Sequence, residues 1–210
     1  MRSSEVRLGR GLLFVLEGID QSGKRTQTLL LTQRISSLGH KVRSISFPIY
    51  DTPIGAEIKA SLEGKRSYPP QVKHLLLSAN RWEVKLEMEN LLEEGWIIIA
   101  NRYTPSNIAY GLASGIDEDW LMSLDRGLPK PDLVIIIDIP PQVSLARKVE
   151  DRDMHERDLS YLSRVRENYL MLAKRFGWIV VDGDRDISQV HEEIWDRVKD
   201  LILGSSGQQL

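Results

Sequence analysis

The stretch LLFVLEGIDQSGKRT, residues 12–26, carries the strongest structural signal in this chain of 210 residues. It joins an apolar run typical of a buried strand to a loop with two glycines, and the loop opens a helical pattern. Gly18 and Gly23 permit a turn in which backbone N–H groups point inward at the start of a helix, where anions bind. The spacing G-x-x-x-x-G-K therefore predicts a nucleoside triphosphate site, with Lys24 on the terminal phosphates.

Four further β-rich apolar runs follow along the chain, and helical patterns separate several of them. The runs are KVRSISF (41–47), WIIIA (96–100), LVIIID (133–138) and WIVVD (178–182). The helical patterns cover residues 26–38, 69–95 and 187–203. This alternation predicts an α/β fold: a doubly wound five-stranded parallel sheet flanked by helices, in one domain over residues 1–210. Ligands of such sheets bind at the carboxyl ends of the strands.

The composition excludes several classes of protein. Without cysteine, the chain has neither a disulfide scaffold nor a thiolate metal site. With 28 Lys and Arg against 30 Asp and Glu, the net charge of −2 argues against a nucleic-acid polymer as partner. The longest apolar runs have about five residues, far fewer than the roughly 20 that span a bilayer. No signal peptide follows the polar start MRSSEVRLGR, so we expect a cytoplasmic protein with no membrane partner.

Two segments lack a core-forming pattern. Nine of the eleven residues of RKVEDRDMHER (147–157) are charged or His. A solvated helix end is one interpretation of this segment, and a lid whose arginines close on phosphates is the other. We place this lid at about residues 147–158. The small, polar stretch GSSGQQL (204–210) is predicted to be a disordered tail.

The residue after the loop lysine departs from the phosphate-loop motif. The motif calls for Ser or Thr there, because that hydroxyl is a ligand of Mg²⁺, whereas this chain has Arg25. Thr26 follows about 100° further round the helix and cannot simply replace it. Either Mg²⁺ is held through phosphates and water, which this ion tolerates, or metal use is weakened. Arg25 itself would neutralise phosphate charge.

Four further motifs, together with the phosphate loop, resemble the thymidylate kinase family in content and in order. The five motifs are EGIDQSGKRTQ (17–27), FPIYDTPIG (47–55), LLLSANRWE (75–83), NRYTPSNIAYG (101–111) and GLPKPDL (127–133). The resemblance extends from about residue 12 to residue 203. It implies a nucleoside monophosphate kinase that transfers a phosphoryl group from ATP to dTMP, giving dTDP and ADP for dTTP biosynthesis. It also implies Mg²⁺, as MgATP, and a homodimer.

The resemblance implies two sets of binding residues. ATP is implied to bind Gly18, Ile19, Asp20, Gln21, Ser22, Gly23, Lys24, Arg25 and Thr26. dTMP is implied to bind Asp20, Phe47, Leu77, Arg81, Arg102, Ser106, Asn107 and Tyr110. The implied catalytic residues are Lys24, Arg102, Arg147 and Arg152.

Several of these positions have a defined role in the family. Asp20 is implied to accept a hydrogen bond from the 3′-hydroxyl of deoxyribose, and Arg81 is implied to donate to a thymine oxygen. Arg102 is implied to hold the acceptor phosphate and the transferring group. Ser106 and Asn107 stand where the family reads the base edge, a task that suits an amide.

Two aromatic positions complete this set. Tyr110 stands where a tyrosine near C2′ disfavours ribose. Phe47 is implied to pack along the sugar and the base, although a core aromatic at the end of a strand fits the same pattern.

For Arg81, the alternative to base recognition is a surface charge on a helix.

The catalytic arginine is implied to come from the lid. Gln21 stands where the eukaryotic type of the family has an arginine, so the positive charge is expected from Arg152 or Arg147, as in the bacterial type. The string DMHE (153–156) resembles the family string that follows the lid arginines.

Three departures from the family pattern leave alternatives open. Asn101 replaces an aspartate near the metal, and it is the one protein ligand that we assign to the metal. Leu77 replaces a phenylalanine that stacks on thymine, and Ile49 replaces an arginine on the acceptor phosphate. One alternative is therefore a nucleotide-binding paralogue with weak or no kinase activity. Another is a kinase of a different pyrimidine nucleotide, such as dUMP.

The homodimer also has an alternative. Trp82, Leu86 and Trp96 would contribute apolar area to a contact between two subunits, or they would pack in the core of a monomer.

Overall fold

The computed structural model describes residues 10–147 and 159–206. Its five strands are β1 (Leu13–Glu17), β2 (Val42–Ser46), β3 (Ile97–Asn101), β4 (Leu133–Asp138) and β5 (Ile179–Asp182). Its helices are α1 (Lys24–Ser37), α2 (Pro53–Leu62), α3 (Pro70–Trp82), α4 (Lys85–Glu93), α5 (Thr104–Ala113), α6 (Glu118–Leu124), α7 (Pro141–Arg147), α8 (Leu159–Phe176) and α9 (Ile187–Ser206).

The strands form one parallel sheet in the order β2-β3-β1-β4-β5. Val15 lies between Ala100 of β3 and Val134 of β4, so β1 is the central strand. The chain after β1 builds one half of the sheet, and β4 then starts the other half on the opposite side of β1. The carboxyl end of β1 is therefore the point where the strand order reverses, which is where ligands bind in such sheets.

Helices cover both faces of the sheet because the central strands are apolar on both faces. Leu13 and Val15 pack on one side with residues of α4, α5 and α8. Phe14 and Leu16 pack on the other side with α1 and α9. The alternation follows from the two-residue period of a strand. The predicted α/β fold, a doubly wound five-stranded parallel sheet, is confirmed.

The helical pattern at 69–95 is not one helix. α3 ends at Trp82 and α4 begins at Lys85. The chain breaks at Val84, whose φ of −109° and ψ of 9° lie outside the helical values. Val84 packs against the core instead of continuing the stripe of α3. The prediction of one uninterrupted helix was therefore wrong.

The C-terminal helix is longer than the pattern predicted. α9 runs through residue 206, so residues 204–206, which were predicted to belong to the disordered tail, are helical. Residues 207–210 lie outside the described part of the chain, and so does most of the lid predicted at 147–158. Within the described ranges, no helix is both long enough and apolar enough to cross a membrane.

Candidate active site

The phosphate loop lies between β1 and α1, at the carboxyl end of the central strand. Gly18 has a φ of 138°, and a Cβ atom there would lie 2.4 Å from the carbonyl oxygen of Ile137 on β4. Gly23, with a φ of 96°, leads into α1. Lys24 is buried, and its Nζ donates to the carbonyl oxygens of Gly18, at 3.0 Å, and Ile19, at 2.7 Å. The loop thus holds its lysine against its own backbone.

A cavity of about 600 Å³ opens over this loop, and we call it the donor cavity. Its phosphate-loop side consists of residues 20–27, which include all the predicted ATP residues except Gly18 and Ile19. Its other walls are formed by Phe47, Asn101, Arg102, Arg147, Gly183, Arg185, Ile187 and Val190. The cationic side chains Lys24, Arg25, Arg102, Arg147 and Arg185 therefore line one cavity, a charge arrangement suited to a polyphosphate.

Arg147, the last residue of α7, bridges two walls of the donor cavity. Its guanidinium donates to the carbonyl oxygen of Gln21 at 3.3 Å and to that of Gly183 at 3.0 Å. It also contacts the carboxylate of Asp184 at 3.4 Å. Arg152, the other predicted lid arginine, and the string at 153–156 lie outside the described residues.

A second cavity, of about 210 Å³, lies on the opposite side of Arg102, and we call it the acceptor cavity. It contains all eight residues predicted for dTMP: Asp20, Phe47, Leu77, Arg81, Arg102, Ser106, Asn107 and Tyr110. Asp20, Phe47 and Arg102 line both cavities, so these three residues mark the place where the two cavities meet.

Asp20 and Arg102 form an ion pair at this junction. Tyr110 Oη donates to the second oxygen of Asp20 at 3.0 Å, and the Arg102 guanidinium lies over the Tyr110 ring. Burial alone would raise the pKa of the Asp20 carboxyl, but the charges of Arg102 and Lys24 outweigh it and lower the pKa. The Asp20 carboxylate also raises the pKa of Arg102, against the opposing effect of burial. Both groups are therefore charged at neutral pH.

The Arg102 backbone is held in an unusual conformation. Its φ is 64°, a left-handed value that non-glycine residues seldom adopt. Its N–H donates to the carbonyl oxygen of Leu16 at 3.0 Å, which extends the sheet by one bond beyond β3. This turn directs the side chain across the end of β1 toward Asp20. Strained backbone of this kind is often found at functional sites.

Glu17, which was not predicted from the sequence, supports the turn at Arg102. Its carboxylate is completely buried and accepts four hydrogen bonds. The donors are Tyr103 N at 2.8 Å, Ser106 N at 3.1 Å, Ser106 Oγ at 2.6 Å and Tyr169 Oη at 2.8 Å. An available signal was a carboxylate at the end of an otherwise apolar run, LLFVLE.

Ser106 lies close to Arg102. Besides its bond to Glu17, Ser106 Oγ lies 3.3 Å from an Arg102 nitrogen and 2.9 Å from Tyr169 Oη. The structure places this serine beside the arginine that was predicted to hold a phosphate.

Arg81 is buried, which is not the surface position considered as its alternative. Its Nε and Nη2 atoms donate to the Asp125 carboxylate, with a shortest contact of 2.7 Å. Ser78 Oγ donates to the same carboxylate at 2.7 Å. Asp125, which was not predicted, therefore orients the guanidinium at the wall of the acceptor cavity.

Asn101 and Arg25 both line the donor cavity. Asn101 Nδ2 donates to Ser46 Oγ at 3.3 Å, whereas its Oδ1 is buried without a partner among the described residues. Arg25 is exposed.

Comparison with known proteins shows the family to which this chain belongs. The family model described as thymidylate kinase matches residues 16–194. The thymidylate kinase of Schizosaccharomyces pombe is 36% identical over 199 residues, which cover 92% of this chain and 94% of the relative. That of Danio rerio is 37% identical over 196 residues, 92% of each chain.

A solved structure of the same family is also similar to this chain. The structure of thymidylate kinase from Candida albicans matches with a TM-score of 0.82 and 33% identity, and the match covers 92% of this chain and 93% of that one.

The chain belongs to the thymidylate kinase family. It is therefore a nucleoside monophosphate kinase, and the comparisons support phosphorylation of dTMP. They do not favour the alternatives of a paralogue with weak or no kinase activity or a kinase of another pyrimidine nucleotide.

Several residues of this candidate site were not predicted from the sequence. Glu17, His74, Asp125 and Tyr169 support or line the acceptor side, and Gly183, Arg185 and Ile187 line the donor side. They come from distant parts of the chain and meet only in the folded protein.

Proposed function

We propose that the donor cavity binds ATP, that the acceptor cavity binds dTMP, and that the phosphoryl group passes beside Arg102. The observation that carries this assignment is the position of Arg102 and Asp20 on the walls of both cavities. Phosphoryl transfer needs two anions in line, neutralised charge and excluded water, and it needs little covalent chemistry from the protein.

Lys24 binds the terminal phosphates of ATP in this assignment. Its Nζ already lies within the phosphate loop, bound to two carbonyl oxygens. The phosphates replace these neutral acceptors with charged ones, and hydrogen bonds to charged acceptors are stronger. The residues of the loop from Gly18 to Thr26 then surround the triphosphate.

Arg102 orients the phosphate of dTMP, and Asp20 accepts from the 3′-hydroxyl. Tyr110 packs against both residues, where an added 2′-hydroxyl of a ribonucleotide would be unfavourable. Toward the base, Phe47 and Leu77 provide apolar contact, Arg81 donates to a thymine oxygen, and Ser106 and Asn107 complete the polar wall.

Mg²⁺ is expected to enter as MgATP, but the residues present do not fit direct coordination by the protein. Arg25 stands where the motif places a hydroxyl ligand, and a cation repels the metal. The buried Oδ1 of Asn101 is a single neutral oxygen. The described ranges contain no group of three or more His, Cys, Asp or Glu that could hold a metal. We therefore assign no catalytic step to the metal.

The homodimer is proposed on the basis of exposed apolar side chains beside the acceptor side. Leu75 and Trp82 of α3, Leu86 of α4 and Met122 of α6 are exposed large hydrophobic residues. Trp96 is half-buried. A second copy of the chain would cover this surface, and the cytoplasmic location stays a prediction.

A coupled assay with purified protein tests the proposed function. We expect dTDP from ATP and dTMP, with kcat/KM higher for dTMP than for dUMP, dCMP or dGMP. The solved Candida albicans enzyme is reported to have broad substrate specificity, so the panel of acceptors is informative. Absence of dTDP above background, with ATP and dTMP still bound, would show a nucleotide-binding paralogue instead.

The same assay tests the lid arginine. Arg152→Ala should reduce turnover more than a hundredfold with a smaller change in substrate binding, if Arg152 acts mainly in the transition state. Near-normal turnover would overturn its assignment and leave Arg147 as the candidate.

A further inference from the structure

Two buried side chains meet at the acceptor cavity, and neither belongs to the phosphate-binding machinery. His74 of α3 is 5% exposed and Asn107 of α5 is 1% exposed. His74 Nδ1 lies 2.8 Å from Asn107 Oδ1, and both residues line the cavity. Because an amide oxygen only accepts hydrogen bonds, Nδ1 carries the hydrogen in this arrangement.

The other end of the Asn107 amide lacks an acceptor. Its Nδ2 is buried and makes no hydrogen bond to any residue in the described ranges. Ser61 Oγ, which belongs to a residue of the same cavity wall, is also buried without such a partner. A buried donor without an acceptor is destabilising, and a ligand that brings an oxygen would satisfy it.

Arg81 adds a second donor to the same wall. The Nε and Nη2 atoms of Arg81 donate to Asp125, whereas its Nη1 atom makes no hydrogen bond within the described part of the chain. The polar atoms of Asn107 and Arg81 available to a ligand are therefore N–H groups. The two carbonyl oxygens of thymine can accept from these N–H groups, whereas cytosine keeps only its 2-carbonyl oxygen, and its 4-amino group would bring a donor against the donor that faces position 4.

We propose that His74 is a positioning residue for base recognition. It holds the Asn107 amide with Nδ2 toward the bound pyrimidine, so the cavity selects a keto pyrimidine over an amino pyrimidine. With the hydrogen on Nε2 instead, Nδ1 would become an acceptor, and the amide would turn to present Oδ1. The tautomer of His74 therefore sets the amide atom that faces the base. This inference rests on the proposed binding of dTMP in the acceptor cavity.

Kinetics of a small set of variants test the proposal. His74→Leu should raise KM for dTMP about tenfold, the typical effect of one lost hydrogen bond, while kcat changes less than about twofold. The preference for dTMP over dCMP in kcat/KM should fall by a similar factor. His74→Gln should keep near-normal values, because its amide N–H₂ can donate to Asn107 Oδ1.

A double-mutant cycle separates positioning from simple packing. If His74 acts through Asn107, then His74→Leu combined with Asn107→Leu should be no worse for dTMP than Asn107→Leu alone. Additive losses, or a fall in thermal stability with unchanged KM, would overturn the proposal and leave His74 a structural residue.

The tautomer of His74 can be measured directly in the wild-type protein. Nitrogen-15 NMR of the imidazole groups in the dTMP-bound protein should show the hydrogen of His74 on Nδ1, and a hydrogen only on Nε2 would overturn the proposal.

A wild-type protein that makes no dTDP would contradict the proposed function. Calorimetric binding of dTMP and the NMR tautomer would still test His74. Normal dTMP kinase activity with an unchanged KM in His74→Leu would contradict this inference alone.

Discussion

The Glu17 carboxylate holds together the part of the site that receives the acceptor. It is fully buried, and its four donors come from the Arg102 turn, the start of α5 and the distant helix α8. A buried carboxylate is stable only when its oxygens are saturated with donors, and here they are. Glu17 thus links the strained backbone at Arg102 to the rest of the fold.

Glu17→Gln should be costly although it preserves the shape of the side chain. An amide N–H₂ would replace one acceptor oxygen. With the remaining oxygen on the backbone N–H groups of Tyr103 and Ser106, the N–H₂ group would face the hydroxyls of Ser106 and Tyr169, which now donate and would have to accept instead. We expect the free energy of unfolding to fall by about 1–3 kcal/mol, and KM for dTMP to rise because Arg102 loses its support. Urea denaturation and steady-state kinetics measure the two effects.

The matched control is Glu192→Gln on α9, which makes the same chemical change at an exposed ion pair with Arg34. Exposed pairs contribute little, so a stability change of less than about 0.5 kcal/mol is expected. Equal effects in the two variants would mean that Glu17 has no special role.

The phosphate loop shows how one element depends on its neighbour in the sheet. A Cβ atom added at Gly18 would collide with the backbone of β4, whereas one added at Gly23 would meet no neighbouring element within 4 Å. Both have positive φ values, so the left-handed backbone alone does not distinguish them. The atoms that surround the two glycines do distinguish them.

Gly18→Ala and Gly23→Ala should therefore differ. Gly23→Ala carries only the strain of a positive φ, about 1–2 kcal/mol. Gly18→Ala adds a collision with Ile137 O and must displace the loop or β4. We expect a much larger loss of ATP affinity and of melting temperature for Gly18→Ala, measured by calorimetry and thermal unfolding. Similar losses in both variants would contradict the role of the close contact.

The break between α3 and α4 is an element that periodicity could not predict. Asn80, completely buried near the end of α3, bonds the backbone of Ile49 with both ends of its amide, at 2.8 and 3.0 Å. It thereby ties α3 to the loop after β2, while Val84 turns into the core. These contacts join residues about 30 positions apart, so the apolar spacing at 69–95 does not indicate them.

The proposed dimer concerns the entire molecule. Leu86 is 69% exposed on α4, and Leu29 is 58% exposed on α1, on the opposite face of the sheet. Leu86→Lys should therefore convert a dimer to a monomer, whereas Leu29→Lys should leave the assembly unchanged. Light scattering after gel filtration measures the mass. A wild-type monomer, or a dimer that survives Leu86→Lys, would contradict this surface.

Most of the architecture and much of the site were predictable because their signals are local. The apolar runs marked all five strands, and the G-x-x-x-x-G-K spacing placed Lys24 at the end of the central one. Motif resemblance brought together Asp20, Arg81, Arg102 and Asn107, all of which line the acceptor cavity. Strand alternation, glycine conformation and motif spacing all depend on residues close together in the chain, so a single sequence contains them.

Folding alone supplied the partners of these residues. Asp125 lies 44 positions from Arg81, His74 lies 33 from Asn107, and Tyr169 lies 152 from Glu17. Each pair is buried, and desolvation makes an unpaired polar group costly there. The strength and direction of these hydrogen bonds therefore depend on how the helices pack over the sheet, which no local pattern specifies.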